Sequence, residues 1–349
     1  MKQDSQITEI ISTTFRELPN VLLESYLDFQ EAIHQVSKTG EVLRSRPFRR
    51  HQLLEPPEPN RITKHYFAVR NEIVGHAIAR YEDVKIDMNP DAISMRVEIH
   101  PNYRRQGIGT QLFTKLETYG RQLGRTKIKT WIAPINGPAG SAFATKYGFR
   151  KVMEEKESRL YHDKINWHYV NQIKQKYAET DHKYRYERID RNEWADRILT
   201  NRQFAEEMAD FYNEVGNLMP MEELETNNFV DTAEDLRRNA EFIKQSDSWK
   251  SQSYYAFNGD TIIGLSDSYY PNDPPVRDVS TGLTGVRKAY QRQGIASVLK
   301  VKILEYYLEN FPEFEYIHTE NAASNEGMLA INIGLGFVPH VSFESWQRT

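Results

Sequence analysis

The chain contains one pattern twice, and this repeat constrains its fold more than any other feature. Four landmarks follow in the same order in each half. The first is a pair of strands joined by a short polar turn, the second strand carrying a glycine: YFAVRNEIVGHAIARY with Gly75, and YYAFNGDTIIGLSDSYY with Gly264. Alternating apolar and polar residues around a tight turn predict a β-hairpin. The second is a strand running into a glycine-bearing loop, MRVEIHPNYRRQGIGTQL and LTGVRKAYQRQGIASVL. The third is an amphipathic helix, whose apolar face holds Leu112, Phe113, Leu116 and Tyr119 in one copy and Val298, Leu299, Ile303 and Tyr306 in the other. The fourth is a Gly-Phe pair closing a further helix, Gly148-Phe149 and Gly336-Phe337.

The spacings agree. Gly107 and Gly148 are 41 positions apart, Gly294 and Gly336 42; Gly75 and Gly107 are 32 apart, Gly264 and Gly294 30. Each copy therefore fills about half the chain, and two α/β (mixed α+β) domains are predicted, residues 1–177 and 178–349. The boundary is placed between Tyr177 and Lys183. There the helical INWHYVNQIKQKY gives way to the polar AETDHK and then to the strand-like YRYERI. The Pro-rich LEPPEPN (54–60) reads as a surface loop inside the first copy.

Composition narrows the function. A formal charge of −4 gives no basic footprint for nucleic acid and suits a cationic or amine substrate better. No apolar run approaches the ~18 residues of a membrane span, and the N-terminal MKQDSQITEI lacks the apolar core of a signal peptide. There is no cysteine. Disulfides, thiolate metal sites and a cysteinyl acyl intermediate are excluded, and a cytoplasmic protein is expected. The expected form is a monomer or homodimer, with no nucleic acid or membrane partner and no metal.

The loops Arg104-Arg105-Gln106-Gly107-Ile108-Gly109 and Gln291-Arg292-Gln293-Gly294-Ile295-Ala296 each lie between a strand and a helix. A helix N-terminus offers unpaired backbone N–H groups and the positive end of the dipole, so a pyrophosphate there needs no side chain. Small residues at the fourth and sixth loop positions let the backbone come close, and Arg105 and Arg292 add charge. A lone glycine at such a junction can simply make the turn. Two in matched context favour the phosphate reading. A G-x-G-x-x-G dinucleotide fingerprint and the G-K-[ST] of a P-loop are both missing.

With these loops the sequence resembles the GNAT superfamily of acetyl-CoA-dependent N-acetyltransferases, whose signature loop reads R/Q-x-x-G-x-G/A, and in particular its tandem two-domain members. The resemblance covers both halves and is weakest over residues 1–50 and 190–245. It implies, for each half, a twisted mixed sheet flanked by helices and splayed between its fourth and fifth strands. Acetyl-CoA is the implied cofactor, with its pantetheine arm lying in the gap. The fourth strands end at Val97–His100 and Leu283–Val286, so the implied contacts are the backbone groups of Ile99 and Val286 and both glycine loops. The implied reaction is direct transfer of acetyl to a small-molecule or peptide amine, without a covalent enzyme intermediate. A non-catalytic acyl-CoA-binding module, and an acyltransferase using another acyl group or a hydroxyl acceptor, stay open.

The copies differ in their expected chemistry. Asn325 lies eleven residues before Gly336, where the family places a cofactor-contacting asparagine, and Asn325, Met328 and Asn332 share a helical face. Asn325 reads equally as a helix cap. The first copy has Gly137 at that position, so the second copy is expected to be catalytic. Where many family members carry an acidic tyrosine, four residues before the glycine of Gly-Phe, this chain has Ala144 and Asn332. Candidate bases are Asp278 before the fourth strand of the second copy, Glu320 at the end of its fifth, and Glu98 on the fourth strand of the first, with His318 a further candidate. Each carboxylate reads equally as a solvated surface group. The segment NLMPMEELETNN (217–228) falls where the family covers its acceptor site, and Glu222, Glu223 and Glu225 are placed to attract a cation.

Overall fold

The computed structural model describes residues 8–59, 61–82, 89–180 and 183–349. The chain divides into two compact units, Met1–Val152 together with Glu344–Thr349, and Met153–Phe343.

In the first unit, β1 (Glu9–Ile11), α1 (Asn20–Val36) and α2 (Arg46–Leu54) precede the hairpin of β2 (Arg61–Val69) and β3 (Ile73–Glu82). Then come β4 (Ala92–Ile99), α3 (Ile108–Gln122), β5 (Lys127–Ile132) and α4 (Ala139–Lys146). The sheet runs β1-β2-β3-β4-β5, antiparallel except for the parallel β4/β5 pair. Its far side is completed by the chain's last residues, Glu344–Arg348, paired antiparallel with Ile128–Ile132.

The strand β6 (Arg150–Leu160) leads into the second unit. There follow α5 (Trp167–Thr180), β7 (Arg185–Asp190), α6 (Arg191–Thr200), α7 (Arg202–Gly216), α8 (Ala233–Ile243), β8 (Trp249–Asn258), β9 (Thr261–Pro271) and β10 (Asp278–Val286). The unit continues through α9 (Ile295–Asn310), β11 (Tyr316–Ala322), α10 (Glu326–Leu335) and β12 (Val338–Arg348), which passes out of it after Phe343. Ile317–Ala322 of β11 pairs with Glu155–Leu160, and the order continues β11-β10-β9-β8-β7 with only β10/β11 parallel.

The compact units therefore part at Met153, whereas the sequence pattern restarts near Lys183. The reason is that residues 155–160 pair with β11 and residues 344–348 with β5. The helix α5 and the polar run after it fall in the second unit; Asp181 and His182 of that run, and residues 1–7 of the N-terminal segment, lie outside the described residues. No helix among the described residues is long and apolar enough to cross a membrane.

The landmark glycines have packing reasons. A Cβ on Gly75 would sit 3.0 Å from Leu112, and one on Gly264 2.9 Å from Ile295, so each lets the following helix lie close on the third strand. The core of the first unit gathers Val74, Ala77, Ile93, Ile108, Leu112 and Leu116. In the second unit α9 buries Ile295, Leu299, Ile303, Leu304 and Tyr307, whereas Val298 and Tyr306 of the expected stripe are only half-buried. The same stripe buries a lysine, Lys300, to 4% exposure.

Candidate active site

In each unit the fourth and fifth strands pair over one end only. β4 and β5 are in register from Ala92↔Lys127 to Ser94↔Lys129, and β10 and β11 from Asp278↔Tyr316 to Thr281↔Thr319. Beyond these points Met95–Ile99 and Gly282–Val286 lose that neighbour, and the strands part. The N–H of His100 donates to Val74, and that of Arg287 to Ile263. By antiparallel alternation, the preceding Ile99 and Val286 turn their own N–H and C=O away from the third strand and toward the gap. Both carbonyls are held by the first side chain of the loop: Arg104 Nε donates to Ile99 O and Gln291 Nε2 to Val286 O, each at 3.2 Å.

Each glycine loop begins its helix with a left-handed N-cap, Gly107 at φ +80° and Gly294 at φ +84°, and neither cap supplies a side-chain acceptor. Two residues earlier Arg105 and Arg292 are also left-handed, at φ +63° and +62°. Alternating left-handed residues curl successive amides into a concave anion cradle. The first turns, from Ile108 and Ile295, add their orphan N–H groups. Nothing lies within 4 Å of where a Cβ on either glycine would stand, so the cradle is open on that side. The chemistry of these donors fits a diphosphate. The Gln293 side chain is occupied elsewhere, accepting from Tyr184 Oη at 2.7 Å and Lys183 Nζ at 3.0 Å, and Gln106 donates to Asn102 O.

The candidate bases fall in different places. Asp278 is buried at the paired end of β10, eight residues from Val286, or about 26 Å at ~3.3 Å per residue; the structure does not bring it to the gap. Glu320 lies just beyond the last β10–β11 pair, directly across from Glu157 of β6. One ligand atom each of Glu157, His318 and Glu320 lie within 4.8 Å of one another, and Arg159 Nε donates to Glu157 at 2.6 Å. Glu98 receives a 2.6 Å hydrogen bond from Arg96 and stands across from His76. Asn325 accepts the Met328 N–H at 3.3 Å and so caps α10. Asn332 is buried and donates to Asn321 at 2.8 Å. Glu222, at φ +49°, accepts from the N–H of Glu154 at 3.1 Å and from Ser324 Oγ at 3.2 Å. It fastens its loop to β6 and to the turn before α10; Glu223 and Glu225 are exposed on the same loop.

Two groups escaped the sequence reading. In the first unit, Tyr26 Oη lies 3.1 Å from His76 Nδ1, and His76 Nε2 lies 3.0 Å from His65 Nδ1. Burial pushes His76 well below its ordinary pKa and His65 down to about 4, so this chain beside Glu98 is uncharged at neutral pH. In the second unit, β10 carries one extra residue opposite β9 between Thr281 and Thr284, a bulge. Asp267 sits against it, and a Cβ on Gly282 would overlap its Oδ1. Burial lifts its carboxyl to about 7, against the pull of the Leu283 amide and the charge of Lys300. Burial likewise lowers the Lys300 ammonium to about 8. The available sequence signals were a lone acid in TIIGLSDSYY and a lone lysine in the apolar helix stripe.

Comparison with known proteins agrees with this geometry. The family model for the "Acetyltransferase (GNAT) family" matches residues 26–149. A search of the curated proteins gave no match. Among solved structures, the chain is similar to a tandem GNAT protein from the clavulanic acid biosynthesis pathway, with 17% identity, 98% of each chain covered and a TM-score of 0.74. It is also similar to a GCN5-related N-acetyltransferase from Sphaerobacter thermophilus, with 14% identity over 97% of this chain and 95% of that one and a TM-score of 0.58. At such identities the likeness is one of fold. The family match therefore lies in the first unit, and the chain as a whole shares the fold of a tandem GNAT protein.

Proposed function

We propose that the protein transfers an acetyl group from acetyl-CoA to an amine, and that the second unit performs the transfer. The observation that carries this reading is the uncapped amide cradle at Gly294 standing beside the parted ends of β10 and β11. In it the main-chain amides of residues 292–297 would hold the diphosphate, and the Val286 N–H would polarise the acyl carbonyl. Acetyl-CoA supplies the acyl group in activated form, as a thioester. Three features favour the second unit over the first: the bulge that ends the β10–β11 pairing, the polar side chains at its apex, and the loop that Glu222 fastens beside it.

The test is to mix the protein with acetyl-CoA and a panel of amines, following free thiol with a chromogenic disulfide. The chain has no cysteine to contribute background. Thiol release that depends on an amine supports the reading. Tight CoA binding with no release across a broad panel would instead favour an acyl-CoA-binding module, and release with hydroxyl compounds alone would make it an O-acyltransferase.

A further inference from the structure

We infer that Asp267 and Lys300 form the proton acceptor and proton donor of the second unit's transfer reaction, facing the apex of the parted strands from opposite faces of the sheet. This rests on the reading of that unit as an acyltransferase.

Strand alternation fixes the two sides. The helix α9 packs on the face of β9 that carries Gly264 and Ser268: Ile295 approaches Gly264, and the hydroxyls of Tyr307 and Ser268 are 3.0 Å apart. Lys300 lies between those two contacts on the buried stripe of α9, with Nζ 5.6 Å from the centroid of the Phe337 ring. Asp267 falls between Ser266 and Ser268 and so points to the opposite face. The bulge of β10 lies against Asp267, and β10–β11 pairing stops at Thr281, immediately before it.

The repeat supplies an internal control. Counted from the shared glycines Gly75/Gly264 and Gly107/Gly294, the first unit has Ile78 where the second has Asp267, and Phe113 where it has Lys300. Both counterparts are buried. The fold is thus built with apolar residues at these positions, and a buried opposite-charge pair is weak support for stability. The second unit accepts that desolvation where its strands open.

The proton balance closes. Transfer forms a C–N bond and breaks a C–S bond. From a neutral amine, Asp267 receives the proton lost by nitrogen, and Lys300 gives one to the departing sulfur. Loss of that proton from Asp267 to solvent and uptake of one by Lys300 then restore both groups. Burial brings the two near 7 and 8, and a donor near 8 is close to the ordinary thiol value of ~8.5. The groups that face or act on the pair are Tyr212 of α7, Tyr255 of β8, Tyr269 of β9, the Gly282 and Leu283 amides of β10 and Tyr307 of α9, with Glu320 of β11 acting on Tyr269.

The test compares Asp267→Asn, Asp267→Glu and Lys300→Phe with the unaltered protein. Asp267→Asn and Lys300→Phe should lower kcat roughly 10²–10⁴-fold, with acetyl-CoA affinity by calorimetry changed by less than about threefold. Asp267→Asn should remove the acid limb of the pH profile and Lys300→Phe the basic limb, while Asp267→Glu restores part of the rate. In the ligand-free protein, Asp267→Asn should lower the pKa of Lys300 read by NMR of its Nζ. Turnover near the unaltered level in both variants, equal losses of affinity and turnover, or a Lys300 titration indifferent to Asp267 would each overturn the inference. An unaltered protein that releases no thiol with any amine overturns the acyltransferase reading as well; active protein with active variants overturns only the pair.

Discussion

Arg348, the next-to-last residue of the chain, donates a 2.6 Å hydrogen bond from Nη2 to Glu117 of α3, and its Nη1 donates to Tyr147 O at 3.0 Å. The end of the chain is therefore structural for the first unit, where Glu344–Arg348 also covers the edge of β5. A chain ending at Phe343 should lose protection from hydrogen exchange along Lys127–Ile132 and should weaken CoA binding by the first unit. Glu117→Gln, which removes its partly exposed ion pairs with Arg348 and Arg121, should cost about 1 kcal/mol or less. Unchanged exchange in the truncated chain would contradict this role.

The cradle glycines are open to substitution by space but not by conformation. Nothing crowds a Cβ at Gly107 or Gly294, yet each residue is left-handed. An alanine there should therefore cost roughly 1–2 kcal/mol in stability through φ alone. Gly294→Glu adds a negative charge beside the diphosphate and should weaken CoA binding by the second unit far more than Gly294→Ala does, at least tenfold by calorimetry. If only Gly107→Glu abolishes turnover, the first unit is the catalytic one.

The imidazoles of His65 and His76 make the first unit sensitive to acid. Burial holds both below their ordinary value, so the unfolded chain binds protons more tightly than the folded one. By linkage, the stability they contribute is whole above about pH 6.5 and is lost as pH falls toward 4, where folded His65 titrates. Urea unfolding of the first unit, followed from pH 8 to pH 4, should show falling midpoints below 6.5. Replacing both histidines by glutamine should flatten that slope.

Glu222 holds a left-handed backbone and two hydrogen bonds that tie its loop to Glu154 and Ser324. Glu222→Ala should release the loop. The expected kinetic result is a severalfold rise in KM for the amine with acetyl-CoA affinity unchanged. An unaltered KM would show that this loop does not border the acceptor.

The fold was legible because its cues are local and repeated. The hairpins around Gly75 and Gly264, the strand–glycine–helix junctions and the Gly-Phe helix ends each rest on backbone geometry that a short stretch of residues dictates. The exchange of strand ends was not legible. Pairing of Glu344–Arg348 with β5 is a contact between residues more than two hundred positions apart, and nothing in the local pattern encodes it. The candidate site divides the same way. The cradle residues could be read off, whereas Asp267 on β9 and Lys300 on α9 gain their chemistry from burial against opposite faces of the sheet, which the local pattern of either element does not reveal. Asp278 illustrates the converse: a carboxylate near the fourth strand in sequence sits at its closed end in space. Asn325 caps α10, as its position before that helix allowed.

The most direct measurement is amide hydrogen exchange across residues 286–298 with and without CoA. The account predicts strong slowing at Arg292–Ser297, where the cradle amides meet the diphosphate, and at Val286, with smaller effects elsewhere in the sheet. Unchanged exchange in this turn at saturating CoA, or protection centred away from both glycine loops, would contradict it.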